Sequence, residues 1–153
     1  MRRGVQQLSE QNVLFFDGSL KIALAEAEAR AGDPGRAAAI LDEALATADR
    51  LGYRTFEAEL HRARGQLLLQ RDRANSAPAE DAFLTAIAIA QRQGTRSFEL
   101  RAVLSLAKLY QSTSRPADAH AVLAPALEGF LPTREMPEIA EAQTLLAAAL
   151  AET

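Results

Sequence analysis

A six-residue phrase occurs twice in this chain. Gly52-Tyr53-Arg54-Thr55-Phe56-Glu57 returns 42 residues later as Gly94-Thr95-Arg96-Ser97-Phe98-Glu99. Alanines on either side keep the same register. A period of roughly 20–50 residues marks an array of stacked units, each of which buries its apolar face only against a neighbour. The duplication therefore restricts the chain to a repeat architecture. It also favours a binding surface over a catalytic pocket.

The apolar pattern predicts helices throughout. Ala37, Ile40, Leu41, Ala44, Leu45, Ala48 and Leu51 follow the spacing of one buried helical stripe. Ala79, Ala82, Phe83, Ala86, Ile87 and Ala90 repeat it, and Ala119, Val122, Leu123, Ala126, Leu127 and Phe130 repeat it again. Each of these helices follows another, predicted over Lys21 to Ala31, Thr55 to Gln70 and Ser97 to Gln111. Pro34 and Pro116 stand where a first helical turn tolerates a missing N–H. Gly32, Gly52 and Gly94 stand where a helix stops in a left-handed residue. Glu57 and Glu99 belong to first turns, favourable for the helix dipole. The polar stretch from Asp72 to Ala77 reads as a turn a couple of residues longer than its counterparts.

These signals give a single all-α domain over residues 1–153. Its helix–turn–helix units cover about 17–52, 55–94 and 97–130, and a capping helix covers about 137–151. The face predicted for that cap is Ile139, Ala142, Leu145, Leu146 and Leu150. Arg3 to Glu10 reads as the end of an earlier helix.

Composition narrows the function classes. There is no cysteine, so disulfides, thiolate metal sites and cysteine nucleophiles are excluded, which fits a reducing cytoplasm. The net charge of −3 disfavours nucleic-acid binding by bulk electrostatics. No run of about 18 apolar residues exists to span a membrane, and the basic start lacks the apolar core of a signal peptide. Low aromatic content, 5%, favours helix over sheet.

Within each unit the pattern resembles the tetratricopeptide repeat. That motif has a small residue midway along helix A, an aromatic three residues later, and small–bulky–small positions on helix B. The third unit supplies Leu106-Ala107, Tyr110, Ala119, Leu123 and Ala126. The second supplies Gly65, Ala79, Phe83 and Ala86, with Leu68 in place of the tyrosine. The first supplies Leu24-Ala25, Ala37, Leu41 and Ala44, with Glu28 in that place. A longer-range resemblance rests on the run from Glu57 to Leu69, on Ala86 to Gly94, on Ser97 to Ala102, on Leu123-Ala124-Pro125 and on the tail from Phe130 to Leu146. These are similar to the tetratricopeptide-like C-terminal region of large bacterial signalling ATPases. Many of those carry an adenylate/guanylate cyclase domain or a transcriptional regulator domain. The chain has no phosphate loop of the G-x-x-x-x-G-K-[ST] type. The resemblance therefore implies a fragment of such a protein or a small stand-alone relative.

The implied fold is a right-handed superhelix of about three hairpins plus a cap. The implied function is a non-catalytic protein–protein interaction or regulatory scaffold module whose partner is a protein or peptide. The alternative is a small-ligand-sensing helical domain that regulates an attached or partner ATPase, cyclase or transcription factor. No enzyme activity, cofactor or metal is expected. His61 and His120 lack ligand partners at metal spacing. The pairs Glu57/Glu59 and Glu80/Asp81 diverge on a helix and do not share a site. In tetratricopeptide arrays the A helices line the concave face. Carried onto this register, that nominates Glu59, Arg62, Gln66 and Leu69 on the second A helix and Arg101, Leu104, Lys108 and Gln111 on the third. Ile22, Glu26 and Arg30 stand on the first. Arg and Lys among Gln and Leu suit an acidic peptide. Leu14, Phe15 and Phe16 offer an apolar surface for packing in cis or for homo-oligomerisation.

Overall fold

A computed structural model describes residues 17–130 and 136–151, and every described element is a helix. In chain order they are α1 (17–30), α2 (Pro34–Leu51), α3 (Glu57–Arg71), α4 (Ala77–Gln93), α5 (Arg96–Ser112), α6 (Pro116–Leu127) and α7 (Pro137–Ala151). Leu14, Phe15, Phe16 and the stretch from Arg3 to Glu10 lie outside the described residues. No described helix is long and apolar enough to cross a membrane.

Local sequence sets the helix ends. The Asp33 carboxylate accepts from the Arg36 backbone N–H at 2.9 Å, and Pro34 opens α2 behind it. Gly52 and Gly94 both sit at φ +66°, a left-handed conformation that costs glycine little. In each case the next residue's N–H reaches back to close the helix, Tyr53 to Ala48 O and Thr95 to Ala90 O, each at 3.0 Å. The same closure ends α5, but there Ser114 takes the left-handed position at φ 57°. Arg115 N then donates to Tyr110 O at 2.8 Å. The longer turn after α3 is organised by Asp72, whose Oδ1 accepts from the backbone N–H groups of Ala74 and Asn75.

The duplicated phrase folds differently in its two copies. Helix α5 begins at Arg96, whereas α3 begins at Glu57, the counterpart of Glu99. The predicted start at Thr55 is therefore two residues early. Helix α6 stops at Leu127, short of Phe130. Pro125 inside its last turn has no N–H to give, and Gly129 at φ +83° turns the chain away.

Small residues let the helices approach closely. The positions expected to be small midway along the A helices are Ala25, Gly65 and Ala107, and all are buried. So are the helix B positions Ala37, Ala79 and Ala119, then Leu41, Phe83 and Leu123, then Ala44, Ala86 and Ala126. Burying a side chain such as Leu123 contributes about 1.5–3 kcal/mol. On α7 the buried residues are Ile139, Ala142 and Ala149, with Leu145 and Leu146 packed against the same cluster. Leu150 is 58% exposed and lies off that stripe, which corrects its expected place in the core.

Each helix from α2 to α7 packs on the next. The odd helices α3, α5 and α7 also touch in sequence, α3 with α5 and α5 with α7. No packing joins α2 to α4 or α4 to α6. The stack is thus closed along its odd-helix side and open along its even-helix side.

Candidate interaction face

The odd helices present one side chain row above another, because residues three and four apart share a helix face. Glu59 on α3 is the centre of the row. It is only 4% exposed, and both carboxylate oxygens are held. Arg62 donates Nε to Oε1 at 3.0 Å and an Nη to Oε2 at 3.1 Å, a bidentate fork. Arg101 on α5 donates to Oε2 at 3.4 Å from the other side. Arg101 also reaches Glu138 on α7 at 3.1 Å, and Arg62 faces Glu26 on α1 at 3.8 Å. Alternating charges therefore run Glu26, Arg62, Glu59, Arg101, Glu138 across four odd helices. Lys108 adds a parallel rung to Glu141 on α7.

This arrangement changes the role of several nominated residues. Arg62 and Arg101 are not free cationic hooks, since both are committed to the buried Glu59 carboxylate. Glu59 itself is inaccessible to a partner. Leu104 is buried in the main core cluster and carries no surface, and Ile22 on α1 is buried as well. Gln66, Leu69 and Gln111 are half-buried on the face, and Lys108 is exposed beside Glu141. Arg30 is exposed at the end of α1. What stays accessible lies toward the C-terminal halves of the odd helices.

Depressions interrupt the face. One of about 280 Å³ lies over the charged row and is walled by Phe56 and Phe98. Those two phenylalanines are the same residue of the duplicated phrase, and their ring centroids are 5.8 Å apart. A cleft of about 410 Å³ lies between α1, α2 and α3, and one of about 200 Å³ lies where Gln66 and Leu69 of α3 face Lys108 and Ser112 of α5.

The remaining candidate groups make local contacts. Glu80 accepts from the Tyr110 hydroxyl at 2.9 Å and from Arg115 at 2.9 Å, while Asp81 is exposed. The neighbouring carboxylates thus point to different surroundings. The Arg115 guanidinium lies 4.2 Å from the Tyr110 ring centroid. Burial pushes the Tyr110 hydroxyl above its usual pKa, and its bond to Glu80 adds to the shift. Burial lowers the pKa of His61, Arg64 lowers it further, and Glu57 opposes both. Among the described residues no group of three His, Cys, Asp or Glu is placed to hold a metal ion.

The duplicated phrase supplies contacts between helices. Arg96 donates to the Ala126 and Glu128 carbonyls at the end of α6, and its guanidinium lies 5.2 Å from the Phe130 ring centroid. Its counterpart Arg54 turns the other way and pairs with Asp49 at 3.1 Å. Glu99 is buried and accepts from Gln91 Nε2 at 2.9 Å.

The cross-helix partners Glu26, Glu138 and Glu141 were not legible as partners from sequence spacing. Glu138 follows Arg101 by 37 residues and Arg101 follows Glu59 by 42. Only the second separation is the repeat period. Against known proteins, no family model, no curated protein and no solved structure gives a significant match.

Proposed function

We propose that this chain is a tetratricopeptide-like right-handed superhelix of about three hairpins and a capping helix, acting as a non-catalytic protein–protein interaction or regulatory scaffold module of a bacterial signalling protein. The observation that carries the reading is the side-by-side packing of α3, α5 and α7 while α4 and α6 stay apart. A stack that is tight on one side and loose on the other curves, and its tight side becomes an extended inner face. The Glu26-to-Glu138 charge row supports the same reading, since it ties that face together across four helices. A face held in this way loses little conformational entropy when a partner docks.

The partner would be an extended peptide or a helix from another protein. Its apolar side chains would meet Leu69, and its carboxylates would meet Lys108 with the amides of Gln66 and Gln111. The test begins with selection of binding peptides from a random library. The selected peptides are then titrated against wild type and against K108Q/Q111A. Weakened binding with an unchanged melting temperature is expected. Equal binding to both proteins would move the partner site off the inner face.

A further inference from the structure

The clefts of about 410 and 200 Å³ are the same place in successive units. With Ala25 aligned on Gly65 and Leu41 on Phe83, every residue lining the smaller cleft has its register counterpart lining the larger one. Two replacements act in the direction of the difference in size. Leu69 of the second junction is replaced by Ala29 in the first, and Phe83 is replaced by Leu41. The second junction is narrowed by its own side chains to about half the volume of the first. A hollow loses dispersion contacts along its walls. A stack that narrows the same gap at the next junction does not need its full width for folding.

The walls of the first cleft also differ chemically from its depth to its mouth. The depth is apolar, formed by Ala25, Ala29, Ala37 and Leu41. The mouth carries Arg30, Arg62, Gln66 and Gln70 together with Glu26. The Arg62 charge is answered by Glu59 and Glu26. Arg30 makes no ion pair with any described residue, so its guanidinium is the uncompensated charge at the opening. A volume of this size, an apolar floor and a few convergent polar groups are the usual ingredients of a small-molecule site.

We propose that the first-junction cleft binds a small amphipathic carboxylic acid, its apolar body resting on Ala29 and Leu41 and its carboxylate meeting Arg30 and the Gln66 and Gln70 amides. This site goes beyond the protein-partner reading and does not depend on it. Arg30 supplies a bidentate fork for the carboxylate. The apolar floor excludes small polar anions, which gain nothing by entering.

The test uses the full chain and a panel of hexanoate, octanoate and 4-phenylbutyrate with their matched primary amides. Binding is read by calorimetry and by shifts of the Gln66 and Gln70 side-chain amide resonances. At least one acid should bind, with its amide about tenfold weaker for loss of the charged contact. Arg30→Gln, at an exposed position, should remove that discrimination and leave the melting temperature unchanged. Ala29→Leu imports the residue of the second junction and should abolish binding. Ala25→Gly with Leu41→Phe imports the second junction's other pair, with glycine making room for the ring, and should abolish binding as well. The proposal is overturned if no acid binds, if acid and amide bind Arg30→Gln and wild type alike, or if either folded cavity-filling variant binds like wild type.

Discussion

Gly65→Ala tests the packing register at its tightest point. An added Cβ would stand 2.5 Å from Cε1 of Phe83, 2.7 Å from Cδ1 and 3.1 Å from Cζ. Phe83 is fully buried, so its ring can yield only by repacking its neighbours or shifting toward the adjoining cleft. The overlap should cost about 1–3 kcal/mol as overpacking. Against this, alanine is favoured over glycine inside a helix by about 1 kcal/mol. The net loss is then about 0–2 kcal/mol, too small to interpret alone. The two other hairpins show the remedy, because they place Ala25 with Leu41 and Ala107 with Leu123 at the same register positions. Gly65→Ala combined with Phe83→Leu should recover stability that neither change predicts singly. A double-mutant cycle by urea denaturation, followed by far-UV circular dichroism, isolates the coupling at about 1–3 kcal/mol. Thermal melts should move by about 2–4 °C per kcal/mol for a chain of this size. Additivity within about 0.5 kcal/mol would refute the contact and the register built on it.

Three further outcomes follow from the structure. Glu59→Gln should cost about 1–3 kcal/mol, since the Arg62 fork loses a charged acceptor. Half-exposed Arg101 should hold the value toward the lower end. The control Glu26→Gln, at a long, half-exposed contact of 3.8 Å, should be near neutral, and equal losses in urea melts would contradict a row centred on Glu59. Ser114→Gly should stabilise by about 0.5–1 kcal/mol, because a left-handed serine at φ 57° is strained where glycine is not. A lower melting temperature would show that the serine side chain matters more than the backbone. His61 has its pKa depressed in the folded protein by burial, so the folded state binds fewer protons than the unfolded chain near and below pH 6.5. Its stabilising contribution is present above that pH and is lost as pH falls below it. Melts of wild type and His61→Gln should converge or cross as pH falls, and parallel curves would contradict the shift.

Much of the fold was legible because helical periodicity and stop signals are local. The spacing of Ala37, Leu41 and Ala44, and of their copies, named the buried stripe of each even helix. Gly52 and Gly94 ended helices where a left-handed residue was needed. The register settled by Ala25, Gly65 and Ala107 extends further than the duplicated phrase. In sequence, Asn12-Val13-Leu14-Phe15-Phe16-Asp17 stands 40 residues before Gly52 to Glu57, with Phe16 over Phe56 and an acid over an acid. Identity was too low for that copy to be seen without the alignment of helices.

The candidate site was less legible. Its residues were chosen by helix face, and of these Gln66, Leu69 and Gln111 are half-buried and Lys108 is exposed. Whether a charge on that face is free depends on the next helix, which a single helical period does not report. Arg62 and Arg101 looked like hooks and are braces, because Glu59, Glu26 and Glu138 arrive from neighbouring helices. Leu104 sits on the nominated face by spacing and is buried by the packing of its neighbours.

The sequence by itself determined an all-helical chain with one phrase duplicated 42 residues apart, the turns between its helices, and the small residues on which they pack. Those properties follow from backbone preferences and from one helix's own periodicity, which act over a few residues. Only the tertiary structure decided which charges cancel, which leucines remain exposed, and that one cleft between helices is about twice the volume of the next. Those depend on distances between side chains from separate helices, and two hairpins with the same spacing pack differently when an alanine replaces a leucine.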